Sequence, residues 1–457
     1  MNPNNSQSLT VLGSDEIREI LVRRIDQQKQ AVGIVVGVIE PAGRRVVAYG
    51  NLANGDTRTL DGDTIFEIGS VTKVFTSLLL ADMVNRNEVA LDDPAATYLP
   101  ENVRMPERNG KSITLLDLST HSSGLPSVPA NLKPKDLRNP YASYSVDDLY
   151  QFLSGYTLPR DPGSEFEYSN LGAGLLGHLL TNRAGTDYES LIGTRITQPL
   201  SMPDTAITLS PSMQQRMATG HTGMLAPVAN WDLPTLAGAG ALRSSVNDML
   251  TFLEAFLGYK KSPLAPAMKA MLEVRRPTGQ GKGEIGLGWI VMSPHDREIA
   301  AHDGGTGGFR SWAGCDPKER TGVVVLSNAA TPIGVFDIGL HLLDPKWPLA
   351  NPEPPQQHIE IHIDPKLLDN YTGRYQLADR ILEITRDSDR LFAQGFGQVN
   401  GQPIAGPKFE VFAESEKNFF VKATGSQITF EAGPEGRATS LTMHRAGREP
   451  IPAPRLS

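Results

Sequence analysis

The chain has 457 residues, 39% apolar and 21% charged, which is enough for a large core and, by length, for two domains. Its 44 glycines and 34 prolines point to a loop-rich but ordered fold, and a net charge of −8 without any basic block speaks against a nucleic-acid partner. Cys315 is the only cysteine, which excludes an intrachain disulfide and a cysteine metal cluster.

The N-terminal stretch MNPNNSQSLTVLGSDEIREI lacks the basic start and apolar core of a signal peptide. The early apolar run AVGIVVGVI is too short to span a bilayer and reads as a buried strand. A cytoplasmic location with no membrane span is the default expectation. Residues 14–30 predict a helix, with Ser14 as its cap and Ile17, Ile20, Leu21 and Ile25 on one face. Residues 31–50 read as strand, turn and strand, a hairpin. A helix is expected over 70–85, and 90–270 reads mostly as helices broken by Pro and Gly. Strands return over 284–328 in EIGLGWIVM, EIAAHDG, FRSWAGCD and TGVVVLSN. Strands at both ends of a long helical insert predict one α+β domain over 14–343, its sheet assembled from the two ends.

The segment 344–357, DPKWPLANPEPPQQ, carries five prolines and is expected to be a stiff extended linker. From 358 to 457 the sequence changes to short alternating runs such as ILEITRD, KFEVFAE and QITFEAG separated by turns, the pattern of a small antiparallel β-barrel. No internal repeat links the two parts.

Three stretches carry chemistry. In FEIGSVTKVF, Ser70 and Lys73 lie three apart at a helix start, where backbone N–H groups are unpaired and the dipole favours negative charge. Burial among Phe66, Ile68, Val74 and Phe75 would depress the lysine pKa, and a serine beside a neutral lysine is a nucleophile–base pairing. In FEYSNLGAGLL, Tyr168 is either a core phenol or a proton relay, and Asn170 either a helix cap or an amide that orients the base or the substrate. The third stretch, HDGGTGGF, invites comparison with phosphate loops. It has neither the Gly-Lys-Ser/Thr of a Walker loop nor a following helix. It reads as a strand whose glycines allow close approach of a substrate backbone and whose N–H groups can form half of an oxyanion hole.

S-x-x-K, Y-x-N and a glycine-ending triad, in this order, resemble the serine β-lactamase and penicillin-binding-protein superfamily. The nearest resemblance is to class C β-lactamases and to the family VIII esterases, D-aminopeptidases and D-Ala-D-Ala carboxypeptidases that share their fold. LLDLSTHSSGLPS and GAGALRSSVNDMLTFL are also similar to family segments, and the C-terminal part resembles the lipocalin-like barrels appended to some D-peptidase-like members. The resemblance implies an antiparallel sheet flanked by helices, with a helical subdomain. It implies Ser70 as the acylated nucleophile, Lys73 as base and Tyr168 as its proton-transfer partner. Asn170 would touch Lys73 and the substrate amide, and the Ser70 and Gly305 N–H groups, with Gly304 beside them, would form the oxyanion hole. Class C enzymes read Lys-Thr-Gly-Ser-Thr-Gly-Gly-Phe at the third motif. Here His302 and Asp303 replace the first two residues and Gly305 replaces the serine, which implies weak support for a β-lactam carboxylate unless Arg310 takes over that charge; otherwise Arg310 is a solvated strand residue.

Other residues weigh less. His358, Glu360 and His362 in HIEIH share a strand face, either a metal site or, the favoured reading, a solvent face. Cys315 reads as a buried strand residue. Trp231 and Tyr144 either line the cleft or pack. The reading that follows is a serine hydrolase acting through an acyl-enzyme on small amides, a β-lactam or a D-amino-acid peptide, with no metal or organic cofactor. A carboxylesterase of the same fold is the alternative, and a non-turnover penicillin-binding sensor the second. The expected partner is a small molecule or short peptide; oligomeric state is left open.

Overall fold

The computed structural model describes residues 11–279, 281, 283–355, 358–378, 380–399, 402–422, 425–434, 436–444 and 449–456. The N-terminal decapeptide, Gln356 and Gln357 of the expected linker, and Ser457 of the expected barrel lie outside the described residues.

Helix α1 (Ser14–Val22) buries Ile17, Ile20 and Leu21, the face expected from spacing, and continues as a wider-wound turn over Arg23–Gln27. Ser14 is not its cap. Gly13 holds that position, and the Glu16 carboxylate accepts from the Gly13 N–H at 2.8 Å, so only the acidic half of a capping box forms and no side chain caps the first-turn N–H groups. Strands β1 (Gly33–Glu40) and β2 (Gly43–Gly50) form the hairpin. Six more strands complete an antiparallel sheet: β3 (Arg276–Pro277), β4 (Glu284–Ile285), β5 (Ile290–Met292), β6 (Ile299–Gly305), β7 (Arg310–Asp316) and β8 (Thr321–Ser327), in the order β2-β1-β8-β7-β6-β5-β4-β3. The sheet is therefore built from the two ends of the segment, with β1 paired to β8 from Ile34↔Ser327 to Ile39↔Gly322.

Every residue of β1 is buried, because the sheet is covered on both faces. Period-two alternation distributes its side chains: Val35 and Ile39 join the larger core with α2 (Thr72–Asn85), whereas Ile34, Val36 and Val38 join a second core against α1 and α7 (Phe336–Leu343). Between β2 and β3 lies the helical insert, which contains α2, α3 (Val146–Gly155), α4 (Asn170–Ala184), α5 (Val246–Phe256) and α6 (Ala265–Glu273). Helix α2 is buried all round from Thr72 to Met83, so its polar residues Thr72, Lys73, Thr76 and Ser77 face other parts of the chain and not solvent.

The C-terminal strands are β9 (Gly373–Leu377), β10 (Arg380–Asp387), β11 (Arg390–Val399), β12 (Gln402–Ala413), β13 (Asn418–Phe420), β14 (Gln427–Ala432), β15 (Ala438–His444) and β16 (Ile451–Pro454), each paired to the next. Leu456 N donates to Arg374 O at 2.7 Å, and Tyr375 bridges Arg455, so the last strand returns to the first and the barrel nearly closes. Its interior is a separate core around Tyr371, Tyr375, Phe419 and Phe430.

The segment 358–362, expected as a strand, runs extended beside β12, with Ile361 N donating to Ala413 O, and forms no ladder. Its favoured solvent-face reading fails for His358. That side chain stacks on Phe420 and meets the Glu414 carboxylate at 3.1 Å, while Glu360 pairs with Lys422; among the described residues no group of three ligands fit for a metal occurs.

The two ends of the segment that holds the first sheet are tied by a buried ion pair. Arg24, 2% exposed, donates to both Asp337 oxygens and to the Gly334 carbonyl, and Asp337 also accepts from Ala350 N at 2.8 Å. Asp337→Ala would strand a buried guanidinium, and is expected to lower unfolding free energy by about 3 kcal/mol or more, read as a fall in the urea midpoint.

Candidate active site

Ser70 lies on a single tight turn, Gly69–Val71, that leads into α2. Three backbone contacts fix that turn. Ile68 N donates to Leu242 O at 3.1 Å, Ser311 Oγ of β7 donates to Ile68 O at 2.7 Å, and Phe66–Glu67 pairs with Arg243–Ser244. Lys73 follows one turn later, 2% exposed, among the apolar residues the sequence pointed to. Its Nζ lies 2.8 Å from Ser70 Oγ, 2.8 Å from Asn170 Oδ1 and 2.7 Å from the Ala239 carbonyl. Burial, only partly offset by the Asp303 charge, pulls the Lys73 pKa down to about 7.

Asn170 is not the cap of α4. Ser169 caps it, accepting from Gly172 N at 2.8 Å, which leaves the Asn170 amide for Lys73. Tyr168, just before the cap, lies beside Ser70, and its ring centroid lies 5.0 Å from Lys73 Nζ. Burial raises the Tyr168 pKa, so the phenol is neutral at pH 7.

Strand β6 closes the other side. A Cβ on Gly304 would sit 2.2 Å from Ile68 O and 3.0 Å from Ser70 N, and one on Gly69 would sit 2.7 Å from Gly305 N. Only glycine permits this approach, which brings the Ser70 and Gly305 amides side by side. His302 is buried, its ring centroid 6.2 Å from that of Tyr168. Its Nδ1–H donates to the Asp303 carbonyl at 2.6 Å, an acceptor only, so Nε2 carries the lone pair. Burial drives the His302 pKa down to about 4 against the pull of Asp303.

The remaining expectations divide. Trp231 lines the cleft of about 60 Å³ with Ser70, Tyr141, Asn170, Leu233 and Thr306. Tyr144 packs in the core. Arg310 is neither solvated nor free for substrate: its guanidinium donates to the carbonyls of Thr331, Thr306, Phe309 and Ala330. Cys315 is buried, with its thiol pKa raised by desolvation. A larger concavity of about 910 Å³ lies beside Tyr98, Tyr150 and Arg183, but none of the Ser70 group lines it, and the convergent polar atoms mark the smaller cleft.

Two contributors went unread in the sequence. His121, inside LLDLSTHSSGLPS, is buried with its ring 4.5 Å from Tyr168 and its Nδ1 accepting from Ser169 N, and burial holds its pKa well below the usual value. The Ala239 carbonyl comes from GAGALRSSVNDMLTFL. Both segments were noticed only for their resemblance, which was the available signal.

Residues 19–343 match the β-lactamase family. The chain belongs to that family. Residues 357–453 match a domain of unknown function, DUF3471. The D-alanyl-D-alanine-carboxypeptidase/endopeptidase AmpH of Escherichia coli K12 is 31% identical over 312 residues, which cover 65% of this chain and 79% of that protein. A crystal structure of a β-lactamase/D-alanine carboxypeptidase from Yersinia pestis with citrate superposes at a TM-score of 0.61, with 26% identity, over 69% of this chain and 92% of that one. The octameric penicillin-binding protein homologue of Pyrococcus abyssi covers 96% of this chain and 100% of its own at a TM-score of 0.63; at 20% identity the likeness is one of fold, and it extends through the barrel. This β-lactamase-family chain is a hydrolase of the serine type. Among the described residues no helix is long and apolar enough to cross a membrane.

Lys73 is expected to titrate near pH 7, far below the lysines at the surface. With ¹³C-methyl labelling or lysine NMR, one lysine should deprotonate about three pH units before the others, and Lys73→Arg should remove that signal.

Proposed function

We propose that this chain is an acyl-transfer hydrolase in which Ser70 is the nucleophile, Lys73 the base and Tyr168 the proton relay. The contact set of Lys73 Nζ carries the reading. A neutral amine has two N–H groups and one lone pair. With its hydrogens on Asn170 Oδ1 and Ala239 O, the lone pair faces the Ser70 hydroxyl, and a pKa near 7 makes that form available.

Ser70 Oγ attacks the acyl carbon as its proton passes to Lys73. The Ser70 and Gly305 N–H groups stabilise the oxyanion. The bond to the leaving nitrogen or oxygen then breaks, and that atom takes a proton through Tyr168, whose neutral phenol can give one proton as it receives another. Water adds to the acyl-serine by the reverse proton path, releasing the acid and restoring Ser70. Asn170 steers the amine and meets the substrate amide. The relatives named for β-lactam and D-alanyl substrates support those acyl donors. A carboxylesterase is the second reading, favoured by one observation: neutral His302 offers no cation to a substrate carboxylate.

Ser70→Ala should lower turnover of nitrocefin, p-nitrophenyl butyrate or D-alanine p-nitroanilide, whichever the wild type cleaves, by at least about a thousand-fold, and should abolish the acyl adduct seen by intact-protein mass. Near-wild-type hydrolysis by the folded mutant would remove Ser70 as nucleophile.

We also propose that 14–343 and 358–457 are separate domains joined by 344–357, in support of which the barrel has its own core. A chain ending at residue 355 should keep a cooperative thermal transition and the circular dichroism of the mixed domain. Loss of that transition would mean that the two parts share their stability.

A further inference from the structure

Residues 166–169, which carry Tyr168, belong to no helix or strand, so no ladder fixes the phenol. One residue touches all four of them. The His121 carbonyl accepts from Glu167 N at 2.7 Å, and His121 Nδ1 accepts from Ser169 N at 3.2 Å. Between these two bonds the imidazole covers the Tyr168 ring, 4.5 Å from centroid to centroid and tilted by 36°. The Phe166 ring meets the same imidazole nearly at right angles, at 5.8 Å. His121 is buried, and burial keeps its ring neutral, which is the form that leaves Nδ1 free to accept. Ser169 is fixed in turn by its bond to Pro126 O and by its cap on α4, the helix whose first residue holds Lys73.

The backbone under this imidazole argues the same way. His121 follows the short helix Leu115–Ser119, and Ser122 N donates back to Asp117 O at 2.9 Å, the bond that closes a helix through a left-handed residue. His121 is that residue, at φ +54°. Glycine takes this conformation freely, whereas a histidine is strained in it. The local fold therefore favours glycine at 121. The contacts that call for an imidazole are those to Phe166, Tyr168 and Ser169.

We propose that His121 is a positioning residue of the site: its imidazole holds the Tyr168 ring at the angle that turns the phenol to Ser70 and the leaving group. The proposal rests on the acyl-transfer reading, in which Tyr168 relays the proton. His121 acts only through that phenol, so its effect must vanish where the phenol is gone.

A double-mutant cycle on the full chain tests this. It reads the second-order rate at which Ser70 is acylated by nitrocefin, p-nitrophenyl butyrate or D-alanine p-nitroanilide, whichever the wild type takes. His121→Gly is the main variant, because glycine suits the left-handed backbone. His121→Asn is the second, since asparagine tolerates that backbone and offers Ser169 N an acceptor. Tyr168→Phe should slow acylation by about a hundred-fold or more, and His121→Gly by about ten-fold or more. The variant carrying both changes should be no slower than Tyr168→Phe alone. A residue that merely supports the fold would slow both backgrounds alike, so losses that multiply overturn the proposal. So does a folded His121→Gly that acylates at the wild-type rate, or loss of the cooperative thermal transition in both His121 variants. Acylation of Tyr168→Phe at the wild-type rate removes the relay and this proposal with it. If no donor adds mass at Ser70, the acyl-transfer reading itself falls.

Discussion

The burial of one amine organises this molecule. Lys73 sits on a helix covered on every side, and water cannot solvate its charge there. An isolated buried ammonium is costly, so the site must either neutralise it or surround it with oxygens. Both occur here. Ser70, Asn170 and Ala239 come from three distant parts of the chain, and each supplies an oxygen within 2.8 Å. To bring them together, α4 must start at Asn170 and the 237–239 turn must pack on α2. The helical insert is thus arranged around an amine, and the sheet provides the floor against which α2 is buried.

The second constraint is distance between backbones. The turn that carries Ser70 and the end of β6 approach so closely that a methyl group at residue 69 or 304 would collide with main-chain atoms. Of the glycines in HDGGTGGF, Gly304 makes this contact, while Gly307 and Gly308 give room to Trp231 and to the Gly220 backbone. A phosphate loop curls its glycines around an anion, whereas Gly304 here lets two amides come together. Ser311 adds the latch, its hydroxyl holding the carbonyl of Ile68.

Much of this was legible in the sequence. The two-ended sheet followed from strands flanking a helical stretch, and the barrel from short alternating runs. Spacing puts Ser70 and Lys73 within reach of each other, and the three motifs in order, not the spacing alone, mark them as a pair. What escaped shares a cause: it depended on which of several equivalent local choices the tertiary structure made. Ser14 and Asn170 are good caps by type, but Gly13 and Ser169 take those positions. Trp231 and Tyr144 look alike in polar loops, and only packing separates cleft from core. Arg310 carries a charge that the sequence offers to substrate or solvent. Four carbonyls of the neighbouring loops, invisible in any local pattern, claim it instead. His121 lies 47 residues from Tyr168, and no spacing rule connects them.

The residues before Gly304 show how fold and selectivity come apart. The backbone geometry there is demanded by Ser70 and cannot vary without losing the close approach. The side chains of 302 and 303 are under no such demand. A histidine fits the buried position because a neutral imidazole tolerates desolvation and turns one nitrogen to its own strand, satisfying half its hydrogen-bonding capacity. A lysine in the same place would add a second amine beside Lys73, and the two like charges would compete for the same few oxygens. Holding His302 neutral therefore leaves Lys73 as the one titrating cation facing Ser70, with Asp303 as the neighbouring negative charge. Charge at this end of β6 is set by two adjacent residues, while the machinery that breaks the acyl bond is set by helix burial and glycine contact, so the first can change without disturbing the second.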